Sequence, residues 1–286
     1  MNDFIDYGWS SSFEQHQFVT RRRETPLENT EIPSFIEATN HFMDVLNCRI
    51  DSLSLELKPP LTEDQLIVMI DCLNGIKTDI GQVLIVSSTS PPFELFMNRI
   101  RKSVSKFYSS IDDSERNVHI PLNFEIKEYF SSTCPWLHLD SLLNMNTEKI
   151  SASAINLSAE DLNVFLRSWQ EGKTNRKLKS AKLRMSSERD VKEVLKGCEG
   201  QLMDPRTTKL KCNECYDLDF FIGGGIHIRG NDGRLAVIDT NGQEWCSNYD
   251  DTYEKRVQKY LKEREIWNSE NSAEKWMEKS FFIYIF

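Results

Sequence analysis

SAEDLNVFLRSWQEG, residues 158–172, decides how the chain is read. Leu162, Phe165, Leu166 and Trp169 recur at i, i+3, i+4 and i+7, the spacing that lines one face of a 3.6-residue helix. Ser158 stands ahead of the run as an N-cap. Glu160 and Asp161 put negative charge at the positive end of the helix dipole, and Gly172 follows as a C′ residue. Asp161, Asn163, Arg167 and Trp169 therefore have packing and capping duties before any chemistry is assigned to them.

The same stripe returns along the chain. It falls at Leu66, Met69, Ile70 and Leu73 behind Thr62 and Gln65, which have capping-box spacing, and Gly75 follows it. It falls again at Phe93, Phe96, Met97 and Ile100 behind Pro91-Pro92, and at Val191, Val194, Leu195 and Cys198 behind Ser186-Ser187. A weaker copy is Thr39, Phe42, Met43 and Leu46, where Ser34 and Glu37 make another capping box. Between these helices lie strand signals: LSLEL (53–57), VLIV (83–86), KISASAINL (149–157) and SAKLRM (180–185). From Lys106 to Asn146 the reading gives short strands near KFYSSI and WLHLD and a partial helical stripe at Ile126, Tyr129 and Phe130.

Stripe starts at 39, 66 and 93, and at 162 and 191, are 27, 27 and 29 residues apart, near the long end of the roughly 20 to 29 residues of a leucine-rich repeat. Strand, helix and parallel strand cross over right-handedly, and stacking such units gives an arc. The expected fold is thus α/β: a leucine-rich-repeat-like curved solenoid of alternating strands and helices. Its closing element would be the C-terminal β-hairpin IHIRGNDGRLAVI (226–238), with Ile226 and Ile228 opposite Leu235 and Val237. TYEKRVQKYLKEREIW (252–267) reads as a charged amphipathic helix, and the closing FFIYIF (281–286) as an edge strand or docked tail.

The formal charge of −9, from 35 Lys+Arg against 44 Asp+Glu, argues against a nucleic-acid binder relying on neutralised phosphates. Arg21-Arg22-Arg23 in a polar stretch does not reverse that balance. No signal-peptide core and no long uncharged apolar run is evident, which predicts a protein neither secreted nor membrane-spanning. Seven cysteines, an odd number spread over a long chain, fit reduced thiols in the cytoplasm or nucleus.

The run WLHLDSLLNMNTEKISASAINLSAEDLNVFLRSWQEG resembles the signature of the nematode F-box-associated domain, type 2. Its positions here are Leu142, Leu143 and Asn146, then Asp161, Leu162, Asn163, Phe165, Leu166, Trp169 and Gly172. HFMDVLNCRIDSLSLEL, VLKGC and GGGIHIRGNDGRLAVI are similar to its opening segment, later helix and closing hairpin, so the resemblance spans roughly residues 35 to 240. It implies a polar N-terminal tail (1–33), the associated domain (34–246) and a charged helical C-terminal tail (247–286). It also implies the substrate-receptor half of an F-box protein, which tethers a protein target to a Skp1-cullin ubiquitin ligase, with no catalytic residue and no cofactor.

Residues 1–31 carry Phe4, Ile5, Tyr7, Trp9, Phe13, Phe18, Val19 and Leu27 without a sustained stripe, which predicts weak or no Skp1 binding. In a rival reading, IPSFIEATNHFMDVL (32–46) is a divergent F-box helix opened by Ile32-Pro33. A third reading is a stand-alone target binder, and a fourth an unrecognised hydrolase.

Signals of other chemistry are sparse. Cys212 and Cys215 have metal-ligand spacing that Cys198, His227 or Cys246 could complete for zinc, but a second paired motif is missing, and the expectation is no metal. Gly223, Gly224 and Gly225 enter a hairpin rather than a helix and read as a bend, not a phosphate cradle. His16, His41, His119, His138 and His227 accompany no nucleophile elbow or HExxH pattern. His138 alternates with Leu137 and Leu139 and would face away from them in a strand. The residues that bind the partner are not legible at this stage.

Overall fold

Alternating apolar positions in the first half of the chain build a parallel sheet in chain order. In the computed structural model, residues 50–111, 124–212, 220–240, 249–269 and 273–286 are described. Strands β1 (Ser52–Leu57), β2 (Ile80–Ser87), β3 (Val104–Ile111), β4 (Ile126–Thr133), β5 (Lys149–Ile155) and β6 (Ser180–Asp190) are neighbours in that order, each parallel to the next. Right-handed crossovers progressing in one direction put the connecting helices on one face. Onto that face point Leu55, Leu57, Val83, Ile85, Phe107, Tyr129, Ile150, Ala152 and Leu183, all in one continuous buried core.

The helices form where the stripes predicted them. In α1 (Glu63–Gly75), Thr62 and Gln65 make the reciprocal capping box, and Leu66, Ile70 and Leu73 are buried. In α2 (Ser90–Arg99), prolines occupy the first turn, where no intrahelical N–H is needed, and Phe93, Phe96 and Met97 are buried. After the short α3 (Leu139–Asn144) comes α4 (Ala159–Gln170), the helix of the opening stretch, with Leu162, Phe165, Leu166 and Trp169 all buried. The fourth stripe is buried as expected, but its helix α5 (Val191–Val194) is a single turn capped by Asp190, because β6 runs through Ser186-Ser187.

Two central expectations fail. WLHLD is not a strand: Trp136 and Leu137 are buried in a turn, and His138 is the N-cap of α3. The partial stripe at Ile126, Tyr129 and Phe130 belongs to a strand, β4, rather than a helix.

The larger correction is to the architecture. The described residues form not a curved solenoid closed by a hairpin but an open, mixed sheet of ten strands with helices, beside a separate two-stranded sheet. A solenoid needs units of even length that touch only their neighbours. Here the offset between register partners varies from 21 residues (Glu128↔Lys149) to 31 (Lys149↔Ser180). The expected closing element is also displaced. The last strand, β12 (Met277–Ile285), lies antiparallel between β6 and β11 (Leu235–Asp239), so FFIYIF occupies the interior of the sheet rather than its edge. Beyond β11 follow β10 (Gly225–Arg229) and the edge strand β7 (Gln201–Met203).

The hairpin register is offset from the expected one by a residue. Leu235 pairs with Arg229 and Val237 with His227, while Ile226 faces Ile238 and Ile228 faces Ala236. Both phases are apolar because both faces are covered here. Ile226, Ile228, Ala236 and Ile238 join the main core, and α6 (Tyr249–Asn268) adds Ile266 to the same core. Val237, Phe282 and Tyr284 point to the other face, where a separate two-stranded sheet, β8 (Lys209–Cys212) with β9 (Phe220–Gly223), covers them with Cys212 and Ile222.

Candidate functional site

The β8–β9 hairpin covers only the β11–β12 end of that second face. Over β1 to β5, no described element packs on it. The register puts Ser54, Leu84, Tyr108, Phe130, Ser151 and Lys182 in one row across β1 to β6, side by side on adjacent strands. Leu84 is 36% exposed and Val86 44%, although large apolar side chains in strands are usually covered. Tyr108 and Phe130 stack at 4.8 Å between ring centroids with planes 13° apart. Three adjacent strands thus carry an apolar and aromatic row on a sheet face that no other described element covers.

Polar residues surround this row. Ser132 Oγ donates to Ser110 Oγ at 3.2 Å. In the neighbouring row, Gln82, Lys106, Glu128 and Lys149 lie side by side, and Lys149 Nζ stands 3.8 Å from the Glu128 carboxylate. Towards β12, the Arg184 guanidinium lies 5.3 Å from the Phe282 ring centroid, where the face passes under the covering hairpin. From β1 to Arg184 of β6, the charged side chains at positions of this face are Glu56, Lys106, Glu128, Lys149, Lys182 and Arg184. Among the described strand positions of this face, cations outnumber anions four to two, in a chain whose net charge is −9.

A second concavity, of about 330 Å³, lies at the amino-terminal ends of β2 to β6, between Asp79, Glu125, Lys127, Asn146, Glu148 and Lys177. Ligands of open α/β sheets gather instead at the carboxyl ends of the strands. Its Glu148 carboxylate accepts from Lys179 at 2.7 Å and stands 3.9 Å from Lys127, and these contacts hold it below the usual carboxylate range.

The signature residues of the opening stretch are structural in their contacts. Asp161 accepts from the Ser158 backbone N–H at 2.8 Å while its own N–H donates to Ser158 Oγ at 3.0 Å, a reciprocal N-cap. Asn163 Nδ2 donates to the carbonyls of Val194 and Lys196 at 2.9 and 2.8 Å, tying α4 to the end of α5. Gln170 Nε2 reaches the carbonyls of Cys198 and Arg229, and Arg234 lies over the Trp169 ring at 5.5 Å, so the β10–β11 turn docks on the end of α4. Gly172 has φ of +67°, the left-handed cap the sequence indicated.

The remaining candidates are dispersed. Cys212 lies in the small core under β8–β9 and Cys198 in the main core, where burial pushes its thiol up to about 11. Cys215 and Cys246 lie outside the described residues, as do His16, His41, His119 and the stripe from Thr39 to Leu46. Among the described residues, no group of three or more His, Cys, Asp or Glu could hold a metal ion. His227 Nε2 stands 3.2 Å from the Gly224 carbonyl, and burial lowers its pKa. Gly224, at φ +72°, sits where a Cβ would come within 2.8 Å of the Met203 carbonyl oxygen, so the glycine run makes the bend between β9 and β10. No described helix is long and apolar enough to cross a membrane.

Residues 118–183 match a family model described as F-box associated. The matched stretch contains β4, α3, β5 and α4, with all the signature residues from Leu142 to Gly172, and suggests an F-box-associated, substrate-binding role in general. The other segments of the resemblance, before residue 118 and after residue 183, fall outside the match. No curated protein matches the chain, and no solved structure does.

Proposed function

We propose that this chain is a protein-interaction module that holds a protein target on the open face of its sheet, as the substrate-recognition part of an F-box-type ubiquitin-ligase adaptor. The observation that carries this reading is the in-register row Leu84, Tyr108 and Phe130 on a face left uncovered by the described elements. Aromatic and aliphatic anchors ringed by polar groups are what protein interfaces place at their centres. The F-box-associated match supports the adaptor part, since β4 and Phe130 lie inside it. In this reading the chain itself makes and breaks no bond and works in the cytoplasm or nucleus.

A second reading is a stand-alone target binder that does not reach Skp1. One experiment addresses both: affinity capture from native extract with the wild-type chain and with a Tyr108→Arg/Phe130→Arg variant of matched thermal stability. A recurrent protein target retained by the wild type and lost by the variant is the expected result. Skp1 in the wild-type capture selects the adaptor, and its absence selects the stand-alone binder. A partner set identical for both chains counts against the sheet face.

A further inference from the structure

We infer that α6 is held on the sheet by a proton-operated catch at Glu263: the helix stays seated while this carboxyl is neutral and lifts from β11 and β12 when it ionises. The parallel half of the sheet stays folded throughout. This goes beyond the target-binding reading of the open face and stands independently of it.

The composition of α6 is the first argument. A helix in a protein draws most of its stability from the side chains it buries. Among the side chains described from Glu254 to Asn268, only Glu263 and Ile266 are buried. Half-buried Trp267 adds an edge contact to Trp276 at 6.1 Å between ring centroids, and Lys192 of α5 donates to the carbonyls of Ile266 and Ser269 at 3.1 and 2.7 Å. One of the two buried side chains is thus a carboxyl, and its charge weighs on the whole attachment.

The second argument is what surrounds that carboxyl. Glu278 of β12 and Asp239 of β11 bring two further carboxyl groups to the seam, Asp239 itself buried. The facing ammonium is Lys259 of α6, 3.4 Å from Glu263, but it also stands 2.7 Å from Glu278 and donates to the Thr240 carbonyl at 3.4 Å. Arg256 of α6 lines the same cavity of about 20 Å³, to which β7 and β10 bring no charged side chain. Among the described residues, buried Arg256 Nε and Glu263 Oε1 both lack a hydrogen-bond partner. An ionised Glu263 therefore adds negative charge against a shared ammonium, on an oxygen that accepts no hydrogen bond, whereas the neutral acid is far less costly to bury. Burial, opposed by Lys259 and reinforced by Glu278 and Asp239, pushes its pKa up to about 7. The cavity has room for one water, through which the carboxyl can exchange its proton.

Release of α6 returns Glu263 to its ordinary pKa of 4.5. The seated form is favoured in full below pH 4.5, and that preference is lost as pH rises through 7. The ratio of released to seated helix should grow about fortyfold between pH 5 and pH 7, and only about twofold more by pH 8.

Hydrogen exchange of the full chain, read by mass spectrometry at pH 5, 7 and 8 and corrected for intrinsic amide rates, tests this. Peptides from α6 should show the rise and its plateau, and peptides from β2 and α4 should show neither. Glu263→Gln should abolish the rise. Glu278→Gln, which removes a neighbouring charge, should make it smaller and complete it at lower pH.

Corrected exchange in α6 that does not change with pH overturns the inference. So does a rise retained in Glu263→Gln, or one shared equally by β2 and α4, which would mean global unfolding instead of a local release. Should Glu263→Gln fail to fold, a rise unmoved in size and position by Glu278→Gln overturns it alone.

Discussion

Phe281 and Leu183 are register partners across β12 and β6, nearly a hundred residues apart in sequence, and both are 1% exposed or less. The parallel half of the sheet is thereby joined to the β10–β11 hairpin through the last strand of the chain. Deleting residues 277–286 should therefore abolish cooperative unfolding, while Phe281→Ala should cost about 3 to 5 kcal/mol, as truncation of a buried aromatic does. Urea denaturation followed by circular dichroism checks both. A deletion variant that unfolds at the wild-type midpoint would show that the two halves are independent.

In α4, Trp169→Ala should likewise cost about 3 to 5 kcal/mol. Asp161→Ala removes one half of the N-cap and should cost about 1 kcal/mol. Asn163→Ala leaves two carbonyls at the end of α5 without their donor and should cost roughly 1 to 3 kcal/mol. Denaturant midpoints of the three variants rank these contributions, and an unchanged midpoint in Trp169→Ala would contradict the packing role.

What the sequence disclosed and what it hid divide along physical lines. The stripes of α1, α2 and α4 and the strand SAKLRM were legible because a single periodic face had to be buried, and VLIV because a short, β-branched apolar run of that length reads as a strand. WLHLD misled because three residues of alternation cannot distinguish a strand from the apolar turn that Trp136 and Leu137 make ahead of a helix. The hairpin register slipped by one residue because Val237 and Leu235 are covered by β8–β9 while Ile226 and Ile238 are covered from the other side. With both faces apolar, alternation does not fix the phase. The position of β12 is a tertiary choice that no local pattern encodes. The open face was hidden for the opposite reason: Ser54, Ser110 and Lys106 read as an ordinary solvent side, and only the register brings Leu84, Tyr108 and Phe130 together.

Glu263 of α6 is 9% exposed and faces Lys259 at 3.4 Å, with Glu278 of β12 and Asp239 of β11 nearby. Burial, with those two carboxylates adding and Lys259 opposing, pushes its pKa up from 4.5 to about 7. The folded state therefore holds this proton more tightly than the unfolded chain. Its contribution to stability is present below pH 4.5 and is lost as pH rises through 7. Glu263→Gln should be near neutral at pH 4.5 and more stable than wild type at pH 8, by on the order of 2 to 3 kcal/mol. Melting curves of both proteins at the two pH values test this, and a difference that does not grow with pH would contradict it.

Tyr129 Oη stands 3.1 Å from Cys134 Sγ and 3.0 Å from Ser109 Oγ in the core, and burial pushes the Cys134 thiol up to about 12. Cys134 should resist a thiol reagent in the native protein at pH 8 and react on unfolding, since the thiolate is the nucleophile. Mass spectrometry of the alkylated protein reads this out, and rapid native labelling at Cys134 would contradict the burial.

The central claim is that the sheet face left bare by the described elements, not the helix face, receives the protein target. Hydroxyl-radical footprinting of the full chain with and without its captured target tests it most directly, because oxidation reports side-chain exposure on both faces at once. Protection of Tyr108, Phe130 and Leu84, with Val164 on α4 and Val68 on α1 unchanged, is the predicted result. Protection of Val164 or Val68 while Tyr108 and Phe130 oxidise at the rate of the free chain would contradict it.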